Sequence, residues 1–161
     1  MRRRSLAALA GLLSVASLHP ARAQAAPVVL TVSGGAAPAP RDFTLAEFEA
    51  LGLREMSTAT PWTQGLQNFS GVPLELLLRA MGGEGVARIR AEALNRYAVE
   101  VPASDGARLG AFLATRVDGQ PMRVRDRGPV WLIYPWTARP ELDRPELHER
   151  AIWQLRRIEL L

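Results

Sequence analysis

Few residue types in this chain are equipped for chemistry. It has no cysteine, which excludes thiolate metal sites, cysteine nucleophiles and disulfides. Of its two histidines, His19 and His148, only the second lies beyond the N-terminal apolar run, so a paired-histidine or histidine-rich metal centre is excluded too. A Ser-His-Asp arrangement would have to rest on His148, which sits in the charged run "PELHER" and reads as a solvated surface side chain. What remains is binding chemistry. Trp62 follows a proline in a predicted loop, with Phe69 close by. Tyr97 opens an alternating segment, Arg127 precedes Gly128-Pro129, and Tyr134-Pro135-Trp136 leaves an apolar run. Thr58 and Thr60 add hydroxyls. Aromatic faces stack on flat ligands, a guanidinium forks onto a carboxylate or ring carbonyl, and hydroxyls bond a ligand's edge. Each residue also has a purely structural reading: loop packing for Trp62, core for Tyr97 and for Tyr134 to Trp136, an ion pair with Asp126 for Arg127, and β-branched filler for Thr58 and Thr60. Trp131 and Trp153 read as core from their strand settings.

The elements that must position these side chains are short. "PVVLTV" reads as a first strand and "SGGAAPAPRD" as a loop. "FTLAEFEAL" is a helix with a capping box, Thr44 and Glu47, and a staple, Phe43 and Phe48; Gly52 stops it. "LREMSTAT" is a strand, and "PWTQGLQNFSGV" reads as a loop into a helix with Pro73 at its first position. Leu74, Leu77, Leu78 and Met81 form that helix's apolar stripe, ended by Gly82-Gly83. Ala87, Ile89, Ala91 and Ala93 alternate with charged residues, and Val99 and Val101 continue after a turn at Asn95-Arg96, which predicts a hairpin with one wet face. "ASDGARLG" is a short helix capped by Ser104, residues 112–117 are a strand, and Asp118-Gly119 is a turn. "GPVWLIYP" is apolar on both faces, as a central strand is. Periodicity leaves "AIWQLRRIEL" open between strand and helix. The sum is an α+β, β-rich domain with short helices in its connections.

Residues 1–23 are set apart from that domain. Arg2, Arg3 and Arg4, an apolar run over 6–18 and Ala21-Arg22-Ala23 predict an export signal cleaved after Ala23, hence a periplasmic protein of one domain, 24–161, with no membrane insertion after cleavage. The formal net charge of +4 matches the four arginines of that signal, which holds no acid. The domain is then near neutral, and its composition gives no reason to expect nucleic acid as a partner.

Four stretches in order, "TPWTQGLQNFSGVPLELLL", "ALNRYAVEVPASD", "DGQPMRVRDRGPVWLIYP" and "RAIWQLRRIEL", resemble the small exported proteins of the oxidoreductase molybdopterin-binding (sulfite-oxidase) fold. The resemblance covers nearly all of 28–161. It implies a mixed-sheet, barrel-like α+β fold and makes the last segment a strand. Enzymes of that family hold molybdenum through a cysteine on the stretch that here reads "MSTAT", 56–60, where there is none. A hydroxyl replaces a thiolate poorly as a soft donor, so the resemblance implies a fold without bound molybdenum and without catalysis. Small cysteine-less members look like periplasmic pterin-binding proteins that report to a membrane-bound signalling enzyme. The expectation is therefore a pterin held between Thr58, Thr60, Trp62 and Phe69 on one side and Arg127, Tyr134 and Trp136 on the other, with Tyr97 a further candidate. The expected partner is the periplasmic domain of an inner-membrane signalling protein. Two alternatives stay open: a molybdenum-cofactor oxidoreductase or one of its subunits, and a bare interaction module.

Overall fold

The computed structural model describes residues 25–161; the export signal expected at 1–23 lies outside them. β1 (Val28–Gly34) turns back into β2 (Arg41–Thr44), which leads directly into α1 (Leu45–Glu49). The α1 start forms as its residue types demand. Thr44 Oγ1 accepts from the Glu47 N–H at 3.3 Å, and the Glu47 carboxylate accepts from the Thr44 N–H at 2.8 Å. The rings of Phe43 and Phe48 meet edge to face at 5.9 Å, closing the staple.

β3 (Arg54–Thr58) and β4 (Gln67–Pro73) then pair antiparallel. β4 overturns the loop expected there. Its Phe69, Gly71 and Val72 are buried, but Ser70, Gly71 and Pro73 break the strand signature in the sequence. Gly71 is needed for close approach: a Cβ there would lie 2.1 Å from the Leu113 carbonyl oxygen of the neighbouring strand. Pro73 ends β4 and caps α2 (Leu74–Ala80) rather than opening it. Leu74, Leu77 and Leu78 of α2 face the core as their spacing requires, each worth roughly 1.5–3 kcal/mol of burial.

β5 (Arg88–Ala93) and β6 (Ala98–Pro102) form the expected hairpin, turning at Asn95 and a positive-φ Arg96. Ala87 is exposed, so the buried stripe begins at Ile89. α3 (Asp105–Leu109) follows; Ser104 precedes it in helical conformation and its side chain makes no capping bond. β7 (Phe112–Val117), β8 (Gln120–Pro121), β9 (Trp131–Ile133), α4 (Pro145–Arg150) and β10 (Leu155–Leu160) complete the chain.

Two sheets result. One has the order β2-β1-β10-β5-β6, with the first and last strands side by side and parallel. The other has the order β3-β4-β7-β8, with β9 also pairing β7. Val130 to Tyr134 are buried on both faces, as their apolar run predicts, yet β9 has a strand partner on one side alone. Its other edge is closed by irregular backbone: the Leu132 N–H donates to Ile152 O at 3.0 Å and the Leu155 N–H to Val130 O at 2.9 Å. Those two bonds hold the segment between α4 and β10, including Trp153, against the β9 edge. Among the described residues no helix is long and apolar enough to cross a membrane.

One ion pair ties α1 to the second sheet. Glu49 accepts from Arg116 Nε at 2.7 Å and Nη2 at 2.9 Å, and from the Thr115 hydroxyl at 2.7 Å. Burial pushes the Glu49 carboxyl up, but the hydrogen bonds and charge of Arg116 and the Thr115 hydroxyl outweigh it and hold the group below the usual carboxylate range. A carboxylate held low in the folded state stabilises above its ordinary range and loses that contribution as pH falls through the folded value. Glu49→Gln is therefore expected to cost about 1–2 kcal/mol at neutral pH, with the partial exposure of Arg116 already discounted. The difference from the parent should vanish in acid, as urea unfolding at both pH values checks.

Candidate functional site

Trp62 sits on the loop after β3, and the first half of that loop is tied down. The Ala59 N–H donates to Thr137 Oγ1 at 2.8 Å, and the Thr137 N–H donates to Thr58 Oγ1 at 3.1 Å. Thr60 Oγ1 bonds the Thr63 hydroxyl at 2.9 Å and accepts the Trp62 N–H at 3.2 Å. From across the fold, Arg127 Nη2 donates to the Trp62 carbonyl at 2.9 Å. Arg127 holds a left-handed backbone, φ 71°, and its guanidinium lies 5.2 Å from the Trp131 ring centre and 5.8 Å from that of Trp153. Gly128 beside it cannot carry a Cβ, which would fall 2.1 Å from Met122 O.

The fixed loop places the Trp62 indole at the centre of an aromatic cluster. Its ring centre lies 5.9 Å from Trp131, 5.9 Å from Trp136, 5.5 Å from Trp153 and 5.8 Å from His148. Trp62 thus touches all of the chain's other tryptophans, which number four with itself. The buried Trp131 Nε1–H has no acceptor among the described residues. Trp153 remains exposed, at 38 %, which corrects its reading as core. It lies one residue before the positive-φ Gln154, outside β10.

Beside this cluster opens a cleft of about 250 Å³, walled by Trp62, Trp153, Ile152 and His148 and, from the β5–β6 turn, by Asn95 and Tyr97. Tyr97 is 52 % exposed and touches no other aromatic ring among the described residues. Two further hollows flank the loop. One, about 230 Å³, is lined by Thr60, Trp136, Thr137 and Asp143; the other, about 310 Å³, by Phe69, Asp126, Arg127 and Trp131.

The expected site residues therefore separate. Trp62 and Tyr97 share the aromatic cleft, Thr60 and Trp136 share a second hollow, and Phe69 and Arg127 share a third. They do not border one common cleft, because the tethered loop stands between them. Thr58 and Tyr134 are fully buried and line none of the three. The Trp136 Nε1–H donates to Leu142 O at 3.1 Å. The Tyr134 hydroxyl donates to Asp105 Oδ2 at 2.8 Å, and burial followed by the Asp105 charge pushes its ionisation far above the usual tyrosine range.

Sequence reasoning overlooked His148, Trp153 and Asn95. "PELHER" reads as a solvated run because all but one of its side chains are polar or proline. It forms α4, whose Leu147 is fully buried and turns His148 onto the cluster. His148 Nε2 lies 2.7 Å from Asp143 Oδ1. The spacing of aromatics, Trp62 to Trp153, carries no local signal, since the β3–β4 loop and the segment between α4 and β10 meet only in the fold.

Among the described residues no group of three or more His, Asp or Glu side chains is placed to hold a metal. The hydroxyls of the 56–60 stretch do not fit molybdenum either. Ser57 Oγ donates to Asn68 Oδ1, Thr58 Oγ1 donates to Ala59 O at 2.9 Å while accepting from Thr137, and Thr60 Oγ1 serves Thr63 and Trp62, so all three oxygens already have partners.

No model of a known protein family matches this chain, and no curated protein matches it. Solved structures do. The crystal structure of the sulfane dehydrogenase SoxCD from Paracoccus pantotrophus is similar over 83 % of this chain, with a TM-score of 0.59 and 17 % identity. The match spans 38 % of that longer chain. At this identity the likeness shows the fold: a β-rich α+β architecture of the sulfite-oxidase kind, as the sequence motifs imply.

Proposed function

We propose that this protein is a non-catalytic, exported pterin-binding protein whose ligand lies in the Trp62–Trp153–Tyr97 cleft, and that it reports occupancy to the periplasmic domain of a membrane-bound signalling protein. The observation that supports this most is the cleft itself. It combines two indoles in contact with each other, an unpartnered phenol across from them and only a few polar groups, the composition of a site for a flat, polar-edged ring. Its volume of about 250 Å³ lies just under the range of drug-sized pockets, which suits a bicycle better than a pterin with a long phosphorylated tail. Tyr97 and Trp153 stand at the lip, where a partner would feel a bound ring directly.

A molybdenum-cofactor oxidoreductase is the second reading, favoured by the fold likeness to a dehydrogenase. The committed hydroxyls of Thr58 and Thr60 weigh against it.

Fluorescence-quenching titrations with oxidised and tetrahydro-pterin test the proposal. Trp153→Ala and Tyr97→Ala should each weaken binding five- to tenfold, since losing one stacking ring costs on the order of 1 kcal/mol. Leu53→Ala, at an exposed residue outside the cleft, should bind as the parent does. Equal affinity in all three variants would place the ligand elsewhere, and a parent that binds no pterin would leave the bare interaction module as the better account.

A further inference from the structure

The cleft has a polar order that selects which edge of a ring can enter. His148 is fixed from behind: its Nε2 lies 2.7 Å from Asp143 Oδ1, and its ring meets Trp62 and Trp136 edge to face at 5.8 and 6.2 Å. An ionised carboxylate can only accept a hydrogen bond, so Nε2 carries the hydrogen. In the neutral imidazole the other nitrogen, Nδ1, is then left with a lone pair. Nδ1 has no partner among the described residues and is not sealed off, as the His148 side chain keeps 30 % exposure and lines the cleft. The next residue of α4, Glu149, also lines the cleft and brings a second acceptor. The opposite lip is of the other kind. Asn95 Oδ1 accepts from the Tyr97 N–H at 3.0 Å, which fixes the amide and leaves its amino group, a donor, without a partner among the described residues.

We infer that His148, set by Asp143, is the specificity-determining acceptor of this cleft. The ligand edge facing α4 must carry N–H donors, while a carbonyl or bare ring nitrogen faces Asn95. This deepens the pterin reading and rests on it. The 2-amino-4-oxopyrimidine half of a pterin has adjacent N–H donors flanked by a carbonyl, which is the complementary order. A ring of the same shape whose edge N–H is methylated leaves the His148 lone pair covered and unpaired, and sites built to bond an N–H reject such analogues strongly.

The test compares pterin with 3-methylpterin on the full chain. The parent should prefer pterin tenfold or more, and His148→Phe should bind the two within threefold of each other. His148→Gln, which keeps an acceptor, should recover part of the preference and serves if the Phe variant folds poorly. Asp143→Ala, which touches no ligand in this scheme, should narrow the preference by freeing the ring. Nitrogen-15 NMR of the imidazoles reads the tautomer without any variant, the His148 signals being those lost in His148→Phe. A hydrogen on Nδ1 in the neutral ring overturns the inference. A parent that binds pterin and 3-methylpterin alike also overturns it while leaving the pterin cleft standing. A parent that binds neither removes both.

Discussion

Asp105→Ala is expected to lower the unfolding free energy by about 2–4 kcal/mol. Asp105 is 3 % exposed and its Oδ2 accepts from both the Tyr134 hydroxyl at 2.8 Å and Arg150 Nη1 at 2.9 Å. The alanine variant leaves the hydroxyl of a fully buried tyrosine without a partner, which costs about 1–3 kcal/mol, and it strips a charge-assisted bond from Arg150. The Arg150 side chain keeps 27 % exposure, so water softens that second part and the total stays below the cost of a fully buried broken pair. Three elements meet at this carboxylate: the first turn of α3, the end of the β9 segment and the last turn of α4. Asp105 is therefore an anchor for the helix that carries His148 and Glu149. Thermal unfolding should show a drop of roughly 10 °C, by the usual scaling for a domain of this size. Tyr134→Phe, which removes the donor and leaves the Asp105–Arg150 pair, should cost about 1 kcal/mol. An Asp105→Ala protein within 1 kcal/mol of the parent would mean that the network contributes little beyond packing.

Trp62→Ala should lose stability and ligand together. The indole contacts four other rings at 5.5–5.9 Å, and truncating a core tryptophan costs about 3–5 kcal/mol. Because Trp62 is only half-buried, about 2–3 kcal/mol is expected from denaturant unfolding. Pterin affinity should fall by more than tenfold, since the same ring is the wall of the cleft and holds Trp153 and His148 in place. Trp62→Phe separates the two roles. It fills part of the hub, so it should recover more stability than affinity, the smaller ring offering less face to a bicycle. Parallel recovery of both would show that Trp62 acts on the ligand through folding alone.

The parts of the fold that could be read in the sequence are those whose signals are local. The Thr44–Glu47 capping box, the leucine stripe of α2, the alternation from Ile89 to Val101 and the Asp118-Gly119 turn each depend on neighbours a few residues away. β4 escaped because its glycine and proline serve the neighbouring strand and the next helix, so they look like loop residues in isolation. β10 was legible through the resemblance and not through periodicity, since the exposed Arg156 and Arg157 in succession break the alternation. The candidate site was legible by residue type more than by arrangement. Trp62 and Tyr97 do share a cleft, whereas Thr58, Tyr134 and Trp136 are committed to the interior by bonds to Thr137, Asp105 and Leu142. His148 reads as a solvated surface residue because burial of Leu147, and with it the roll of α4, is set by packing across the fold.

The central claim, a pterin in the cleft beside Trp62, is tested most directly by nitrogen-15 chemical-shift mapping of the full chain during titration with pterin. The tryptophans supply four indole N–H reporters that can be assigned one by one. The account predicts saturable shifts at the Trp62 and Trp153 indoles and at the amides of Asn95, Tyr97, His148 and Trp153. Shifts centred instead on Phe69, Asp126 and Arg127, or none at any pterin concentration, would contradict it.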